Sequence, residues 1–267
     1  MRVLCLHGKG TSGAIFKSQT ASFRGLLQGQ GIEFEFVDGP HASLPAPGID
    51  LFYPPPFYAF WNGDSLDEIH AARDWLADLV SRSGPYDAVM TFSQGCALAA
   101  TALLHHQAQS DPSSSPPPFK AAIFICGGAP LTVAESLGFT VSQEAWDRDA
   151  ASRKALSDKA SAPAILAQGS KRWTDVDGAS GYSVEDASRE VSGPLQIKIP
   201  TVHIYGSKDP RYFAGVQLSS FCDPRTRKVY NHGGGHEIPR GDTVSRTIAD
   251  LVRWALVAGK SGKDRLG

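Results

Sequence analysis

One short stretch, residues 86–104, combines a strand, a sharp turn that carries a serine, and a helix. The mainly apolar run Tyr86–Met90 leads into the pentapeptide TFSQG at 91–95, and the small residues of 96–104 are typical of a helix. Such a turn lifts a serine Oγ clear of a sheet and aims the following backbone N–H groups at the atom that the oxygen attacks. Ser93 is therefore predicted to be a nucleophile for acyl transfer.

The turn departs from the usual G-x-S-x-G pattern because Thr91 occupies the first glycine position. That glycine normally relieves crowding between the strand and the helix. A threonine hydroxyl there can instead bond a nearby backbone carbonyl. The alternative interpretation of Ser93 is a residue that only caps the helix starting near Gln94.

Apolar runs typical of strands alternate with helical patterns along the whole chain. The runs lie at Val3–Leu6, Phe34–Val37, Ala88–Phe92, Ala121–Cys126, Thr201–Tyr205 and Lys228–Tyr230. Apolar faces with helical spacing occur in Asp67–Val80 and Val244–Val257. This alternation predicts an α/β fold, with a mainly parallel central sheet and covering helices on both faces.

The length of 267 residues, with 42% hydrophobic content, suits one large core, so residues 1–267 are predicted to form a single domain. The proline- and serine-rich stretch Ser110–Pro118 is predicted to be a surface loop. Between about 131 and 200 the periodic pattern of apolar residues weakens, and the segment is too long for an ordinary connection between strands. It is predicted to be a cap over the active site.

Charge and cysteine usage exclude several classes of protein. The chain has 26 basic and 27 acidic residues and a formal net charge of −1, so no overall positive field attracts nucleic acid or an anionic membrane. Neither a secretory signal nor a transmembrane span is recognisable. The four cysteines are widely separated, which fits reduced, buried thiols. A cytoplasmic location is the resulting expectation.

A serine nucleophile needs a base and an orienting acid, which should follow it in the order Ser, Asp, His on this fold. Asp209 lies just beyond the strand Thr201–Tyr205, so its carboxylate is expected at the sheet edge that carries the serine turn. His236 lies in a glycine-rich loop and can fold back onto Ser93. Its neighbour His232 is the local rival, but it is closer to the preceding strand and has less reach.

The oxyanion that forms during acyl transfer needs two N–H donors, and the Gln94 N–H is the first because it follows the nucleophile. The second is expected from the turn after the first strand, at the Lys9 N–H. The competing interpretation of this turn is a phosphate-binding loop, since Gly8, Gly10 and Gly13 match G-x-G-x-x-G. Asp38 would then be the candidate for ribose recognition.

No metal site and no cofactor are predicted. Histidines outside the proposed catalytic group lack carboxylate or cysteine companions at coordinating spacings. These residues are His7, His41, His70, His105, His106 and His203. His7 and His203 are predicted to be structural.

Several motifs together resemble the fungal-type FSH family of serine hydrolases. They are VLCLHG at 3–8, FVDGP at 36–40, FSQG at 92–95, GGAP at 127–130, HIYGSKD at 203–209 and GHEIP at 235–239. The resemblance covers nearly the whole chain. It implies an α/β-hydrolase fold, and it implies Ser93, Asp209 and His236 as nucleophile, orienting acid and general base.

The FSH resemblance also suggests a substrate, because the family includes small esterases and stand-alone thioesterases that release polyketides from their synthases. Hydrolysis of an acyl thioester, releasing a polyketide-type chain from a carrier protein through an acyl-serine, is the leading prediction. A carboxylesterase for small apolar oxoesters is the alternative. Two further possibilities are lactone formation by an internal hydroxyl and a non-catalytic binding module.

The predicted wall of the acyl pocket is an aromatic, proline-stiffened stretch at 52–61, with Phe57, Tyr58 and Trp61 as substrate-binding residues. Trp146 and Trp173 of the cap are expected to complete it. The other interpretation is that these side chains pack in the domain's own core. Five basic cap residues are candidates for docking an acidic carrier protein: Arg148, Arg153, Lys154, Lys171 and Arg172.

Overall fold

A parallel sheet forms the centre of the computed structural model, which describes residues 1–109, 116–176 and 181–261. Within these residues, six strands make up this sheet: β1 (Arg2–Leu6), β2 (Glu33–Val37), β3 (Ala88–Phe92), β4 (Ala122–Ile125), β5 (Thr201–Tyr205) and β6 (Arg227–Asn231). Their order across the sheet is β6-β5-β4-β3-β1-β2, and every pair is parallel. The predicted α/β class is confirmed.

Burial along the strands follows from their places in the sheet. The central strands β3, β4 and β5 are buried at every position, whereas the edge strands β2 and β6 are partly exposed. Strands covered by helices on both faces have to be apolar throughout, which explains the continuous hydrophobic runs. The carboxyl ends of all six strands meet at one edge.

Helices cover both faces of the sheet. They are α1 (Gly13–Gln19), α2 (Ala21–Gly25), α3 (Leu66–Ser83), α4 (Gln94–Gln107), α5 (Leu131–Ser136), α6 (Gln143–Ala160), α7 (Ala162–Gln168), α8 (Val184–Glu190), α9 (Tyr212–Ser220) and α10 (Asp242–Ser261). One apolar core contains side chains of α3 and α4, and a second contains side chains of α1, α2 and α10. The sheet separates these two cores.

The segment predicted to form a cap contains α5 to α8 and a short 3-10 helix, Gly169–Trp173. Thr140–Val141 and Val191–Ser192 pair as a two-stranded antiparallel ribbon in this segment. A second ribbon, of His41–Ala42 and Tyr58–Ala59, holds part of the aromatic stretch. Most of the predicted loop at 110–118 lies outside the described residues.

No helix in the described ranges has both the length and the apolar character needed to cross a membrane.

One buried histidine of the sheet makes stability depend on pH. His203, on β5, is 1% exposed and stacks on Phe124, and burial lowers its pKa to about 3. Because its pKa in the unfolded chain is about 6.5, the unfolded state binds more protons below that pH, and folding stability falls as pH falls. The loss should be about 1.4 kcal/mol per pH unit between pH 6 and pH 4.

His203→Phe keeps the ring and removes the titration, so the slope of unfolding free energy against pH should become shallower by about 1.4 kcal/mol per unit. Urea unfolding at pH 7, 6, 5 and 4 measures both slopes. Parallel curves for the wild type and the variant would contradict the assignment.

Candidate active site

The predicted nucleophile lies in a strained turn between β3 and α4. Ser93 has φ 51° and ψ −111°, a conformation that residues other than glycine rarely adopt. Gly95 allows the first turn of α4 to approach β1, because a Cβ there would lie 2.4 Å from the Leu6 carbonyl oxygen. Strand, turn and helix therefore present Ser93 at the carboxyl edge of the sheet.

Thr91 occupies the position of the usual first glycine, at the end of β3. Its side chain is fully buried between β3 and β4, and its Oγ1 donates a hydrogen bond of 3.0 Å to the Ile123 carbonyl oxygen. The expectation that this hydroxyl bonds a backbone carbonyl is confirmed. The partner satisfies a buried hydroxyl that would otherwise destabilise the sheet.

Asp209 and His236 meet at the same edge of the sheet. The His236 Nδ1 donates a hydrogen bond of 2.8 Å to Asp209 Oδ2, since an ionised carboxylate can only accept. The second carboxylate oxygen accepts the Arg211 backbone N–H at 2.7 Å, and Asp209 is 1% exposed. With its Nδ1 protonated, the His236 Nε2 has a lone pair for a substrate or nucleophile proton.

The loop that carries Asp209 and the loop that carries His236 pack closely because each has a glycine at the contact. A Cβ on Gly206 would lie only 1.9 Å from the Gly234 carbonyl oxygen, so the backbones approach as closely as glycine allows. The same oxygen accepts the Lys208 N–H at 2.9 Å. This close packing of the loops that follow β5 and β6 therefore fixes the distance between Asp209 and His236.

The structure separates the two histidine candidates. The His236 ring packs against Phe92, with 5.2 Å between centroids, which places it beside the residue that precedes Ser93. His232 instead accepts the Gly234 N–H at Nδ1, and its Nε2 lies 3.8 Å from Cys126 Sγ. Burial lowers the pKa of His232 to about 4, so this ring is neutral at pH 7.

Cys126 is a neighbour that the sequence did not reveal. Its Sγ, an Asp209 oxygen and a His236 ring nitrogen all lie within 4.8 Å of one another. Thiol, imidazole and carboxylate are zinc-ligand types, but here Asp209 and His236 already bond each other. Burial, reinforced by Asp209, raises the pKa of the Cys126 thiol well above its usual range, so the sulfur stays protonated and is a poor nucleophile.

The turn after β1 lies directly against the serine turn. A Cβ on Gly8 would lie 3.3 Å from the Ser93 Cβ, so the residue before Lys9 packs against the predicted nucleophile. Two donors of the suspected phosphate loop are already used: the Gly10 N–H bonds the Tyr58 carbonyl, and the Gly13 N–H bonds Asp38 Oδ1. These bonds argue against phosphate binding.

His7 fastens this first turn. Its buried ring accepts the Gly39 N–H at Nε2, 2.9 Å away, so Nδ1 carries the proton and donates to the Gly8 carbonyl oxygen at 2.7 Å. The structural role predicted for His7 is confirmed.

One family model matches most of the chain. The model described as serine hydrolase (FSH1) matches residues 1–248 of this chain. The chain belongs to the FSH1 serine hydrolase family. The resemblance drawn from the motifs is confirmed, and the protein is a serine hydrolase.

Relatives of this FSH1-family chain span nearly its full length. Esterase FPY3 of Fusarium mangiferae is 32% identical, over 96% of this chain and 99% of its own length. Esterase alnB of Emericella nidulans is 27% identical, with 96% of each chain covered. A carboxylesterase structure from Bacillus cereus shares the fold, with a TM-score of 0.50 and 10% identity, over 95% of this chain and 87% of its own.

The pocket residues predicted for this FSH1-family hydrolase occupy different environments. Phe57 and Trp61 are 8% and 4% exposed and pack in the protein interior, and Tyr58 is half-buried. Trp146 packs on the core beside α5, where its Nε1 donates to Glu135. Trp173 packs against Gly235, the residue that precedes His236.

Trp173 belongs to the 3-10 helix of the predicted cap and is 3% exposed. A Cβ on Gly235 would lie 2.2 Å from the Trp173 Cδ2, so the indole packs flush against the residue that precedes His236. The Trp173 Nε1 is buried without a hydrogen-bond partner. This contact brings the 3-10 helix onto the histidine loop.

Three of the five basic cap residues have carboxylate partners. Arg148 pairs with Glu144 and Glu190, Arg153 with Asp149 and Asp64, and Lys154 with Asp158. Those pairs neutralise the charges that an acidic partner would need. Lys171 and Arg172 are the two candidates left, and the Arg172 guanidinium lies over the Trp173 ring, 4.6 Å from its centroid.

Two cavities lie away from Ser93. One, of about 500 Å³, is lined by charged and polar residues of α6 and α8, including Arg148 and Glu190. The other, of about 470 Å³, lies between α3 and α4. The charged lining of the first does not suit an acyl chain, and the second is lined by the later turns of α3 and α4, away from the amino end of α4 where Ser93 lies.

Proposed function

We propose that Ser93, His236 and Asp209 form the catalytic triad of this serine hydrolase. The observation that carries the proposal is the 2.8 Å bond between His236 and Asp209, next to a serine held at φ 51°. The His236 Nε2 removes the Ser93 proton while Oγ attacks the carbonyl carbon of an acyl substrate. The leaving thiol or alcohol then takes that proton, and the acyl group remains on Ser93.

Hydrolysis of the acyl-serine repeats the same steps with water. His236 removes a proton from water, the hydroxyl attacks the ester carbon, and the proton returns to Ser93 Oγ as the carboxylic acid leaves. Asp209 keeps the Nδ1 proton in place and stabilises the imidazolium that forms in each half-reaction. Its buried position and its bond to the Arg211 N–H support that role.

The backbone N–H groups of Gln94 and Lys9 are proposed to bind the oxyanion. The Gln94 N–H is at the amino end of α4, where unpaired amides and the helix dipole favour negative charge. Lys9 follows Gly8, which lies against Ser93. The two donors therefore lie on turns that touch each other beside the nucleophile.

The proposed substrate is an acyl thioester, with an acyl chain of polyketide type supplied by a carrier protein. Trp173 against Gly235 gives the site an apolar wall next to His236, and Tyr58 lies on the segment bonded to the first turn. Phe57, Trp61 and Trp146 are included in this proposal as further residues that bind the acyl chain. Residues 131–200 would act as the cap of a single domain.

Four free, buried thiols support a reducing compartment, so a cytoplasmic location is part of the proposal. The second candidate function is a carboxylesterase, which the names of the two fungal relatives favour, since both are called esterases.

A comparison of two substrates with the same medium-length acyl group distinguishes these functions. We expect kcat/KM for a pantetheine thioester to exceed that for a matched oxoester by about tenfold, after division by the uncatalysed rates. Ser93→Ala gives the blank. An oxoester preference, or equal values, would make carboxylesterase the function.

The same assay tests the carrier protein. An acyl group on a carrier should give a lower KM than the same group on free pantetheine, and Lys171→Glu should remove that advantage by opposing an acidic partner. Exposed Lys154 is paired with Asp158, so Lys154→Glu is the matched control. Equal KM values for both thioesters would remove the carrier from the proposal.

A further inference from the structure

The side chain of Gln94 connects the serine turn to a distant part of the chain. Its Oε1 accepts the Phe60 N–H at 3.0 Å, and its Nε2 donates to the Trp61 carbonyl oxygen at 2.8 Å. Reversing the amide would place two donors and two acceptors face to face, so these partners fix its orientation. The side chain is thus held at both ends of its amide by consecutive residues.

Those residues belong to a segment, 57–62, that we call the aromatic bracket. The same bracket is bonded to the first turn: the Gly10 N–H donates to the Tyr58 carbonyl at 2.9 Å, and the Tyr58 N–H to the Thr11 carbonyl at 2.6 Å. The Lys9 Nζ reaches the Asn62 carbonyl oxygen at 2.5 Å. One segment therefore binds both turns that carry the proposed oxyanion donors.

Packing makes the aromatic bracket a stiff connector. Phe60 is fully buried, and its ring lies 4.9 Å from the His7 ring and 5.6 Å from the Trp75 ring. A Cβ on Gly39 would lie 2.5 Å from the Ala59 carbonyl oxygen, so the bracket also lies tight against the end of β2. A displacement of the bracket would have to disturb the core.

Two N–H groups on separate turns stabilise an oxyanion only if they converge on one point, and errors near 1 Å cost much of the effect. Glycines at 8 and 10 add flexibility to the first turn, so its position depends on partners such as His7 and the aromatic bracket. We propose that the Gln94 side chain is a positioning residue, which holds the serine turn and the first turn in register through the aromatic bracket. This inference rests on the proposed function, because it assumes the Gln94 and Lys9 donors.

The aromatic stretch then serves as a connector between the two turns and not only as a substrate wall. Sequence reasoning assigned it to the substrate wall, where its loss would weaken binding of the acyl chain. If the stretch is a connector, its bonds to Gln94 position the donors that stabilise the transition state. Breaking those bonds should therefore lower kcat and leave KM nearly constant. A residue with only a structural role would lower the melting temperature without this separation of kcat and KM.

Gln94→Met tests the connection because methionine has nearly the same length, forms neither hydrogen bond, and keeps the backbone N–H donor. We expect kcat per active site to fall by about 10- to 100-fold, with KM within about threefold. Affinity for a trifluoromethyl ketone, which forms an oxyanion on Ser93, should fall in parallel. Gln107→Met, at the other end of α4, is the matched control and should keep wild-type values.

A fluorophosphonate titration counts competent sites, so misfolded protein does not lower the reported kcat. If Gln94→Met does not fold, Gln94→Glu serves instead, because it keeps the acceptor for the Phe60 N–H and loses the donor to the Trp61 carbonyl; its kcat should also fall at least threefold. Unchanged kcat, or a rise in KM alone, would overturn the positioning role. Absence of labelling at Ser93 in the wild type would instead overturn the proposed function.

Discussion

Replacing Ser93 by alanine is expected to reduce kcat by about 10⁶-fold, close to the uncatalysed background. The variant keeps the His236–Asp209 pair and both proposed oxyanion donors but has no oxygen to form the acyl intermediate. Serine and alanine both carry a Cβ, so the backbone strain at φ 51° is the same in both, and the variant should fold with similar stability. Steady-state hydrolysis of an activated ester measures the loss, and intact-protein mass spectrometry after a fluorophosphonate checks for the missing adduct.

A control serine makes this result specific. Ser188, on the exposed surface of α8, donates to the Val184 carbonyl of its own helix, so Ser188→Ala should keep wild-type turnover. The nearby Cys126 thiol is the alternative nucleophile. If Ser93→Ala kept its activity and Cys126→Ala lost it, the nucleophile would be Cys126, despite a pKa that burial raises.

The strands and the serine turn could be predicted because their signals are local. Parallel strands buried on both faces need unbroken apolar runs, and the observed bounds differ from those predicted by one or two residues at most. The positions of Asp209 and His236 followed from the chain order expected of the fold, from the strand Thr201–Tyr205 just before Asp209, and from the glycine-rich loop that holds His236. Short-range patterns thus located the residues that end up at one sheet edge.

The contacts between distant segments could not be predicted in the same way. The partners of the Gln94 side chain lie 33 and 34 residues away, and both are backbone groups, which no side-chain pattern specifies. Cys126 had the signature of an ordinary core thiol. The acidic partners of Arg148 and Arg153 likewise include Glu190 and Asp64, far away in sequence.

Asp209→Asn is expected to lower kcat by about 10⁴-fold while the protein remains folded. An asparagine side chain can present its NH₂ group to the histidine, which favours the tautomer with the proton on Nε2. His236 could then no longer remove a proton from Ser93, and it would lack a charge to stabilise its own imidazolium. The measurement is kcat on the activated ester, normalised to fluorophosphonate-titrated sites.

Asp223 offers a control with the same local geometry. Its Oδ1 accepts the N–H of Arg225 two residues later at 2.9 Å, as Asp209 accepts that of Arg211 at 2.7 Å, and both carboxylates are buried. Asp223→Asn therefore reproduces the loss of a buried, turn-forming charge without touching His236. If both variants lost turnover per titrated site equally, the effect of Asp209 would come from the loss of a buried charge in general; a loss confined to Asp209→Asn assigns it to the bond with His236.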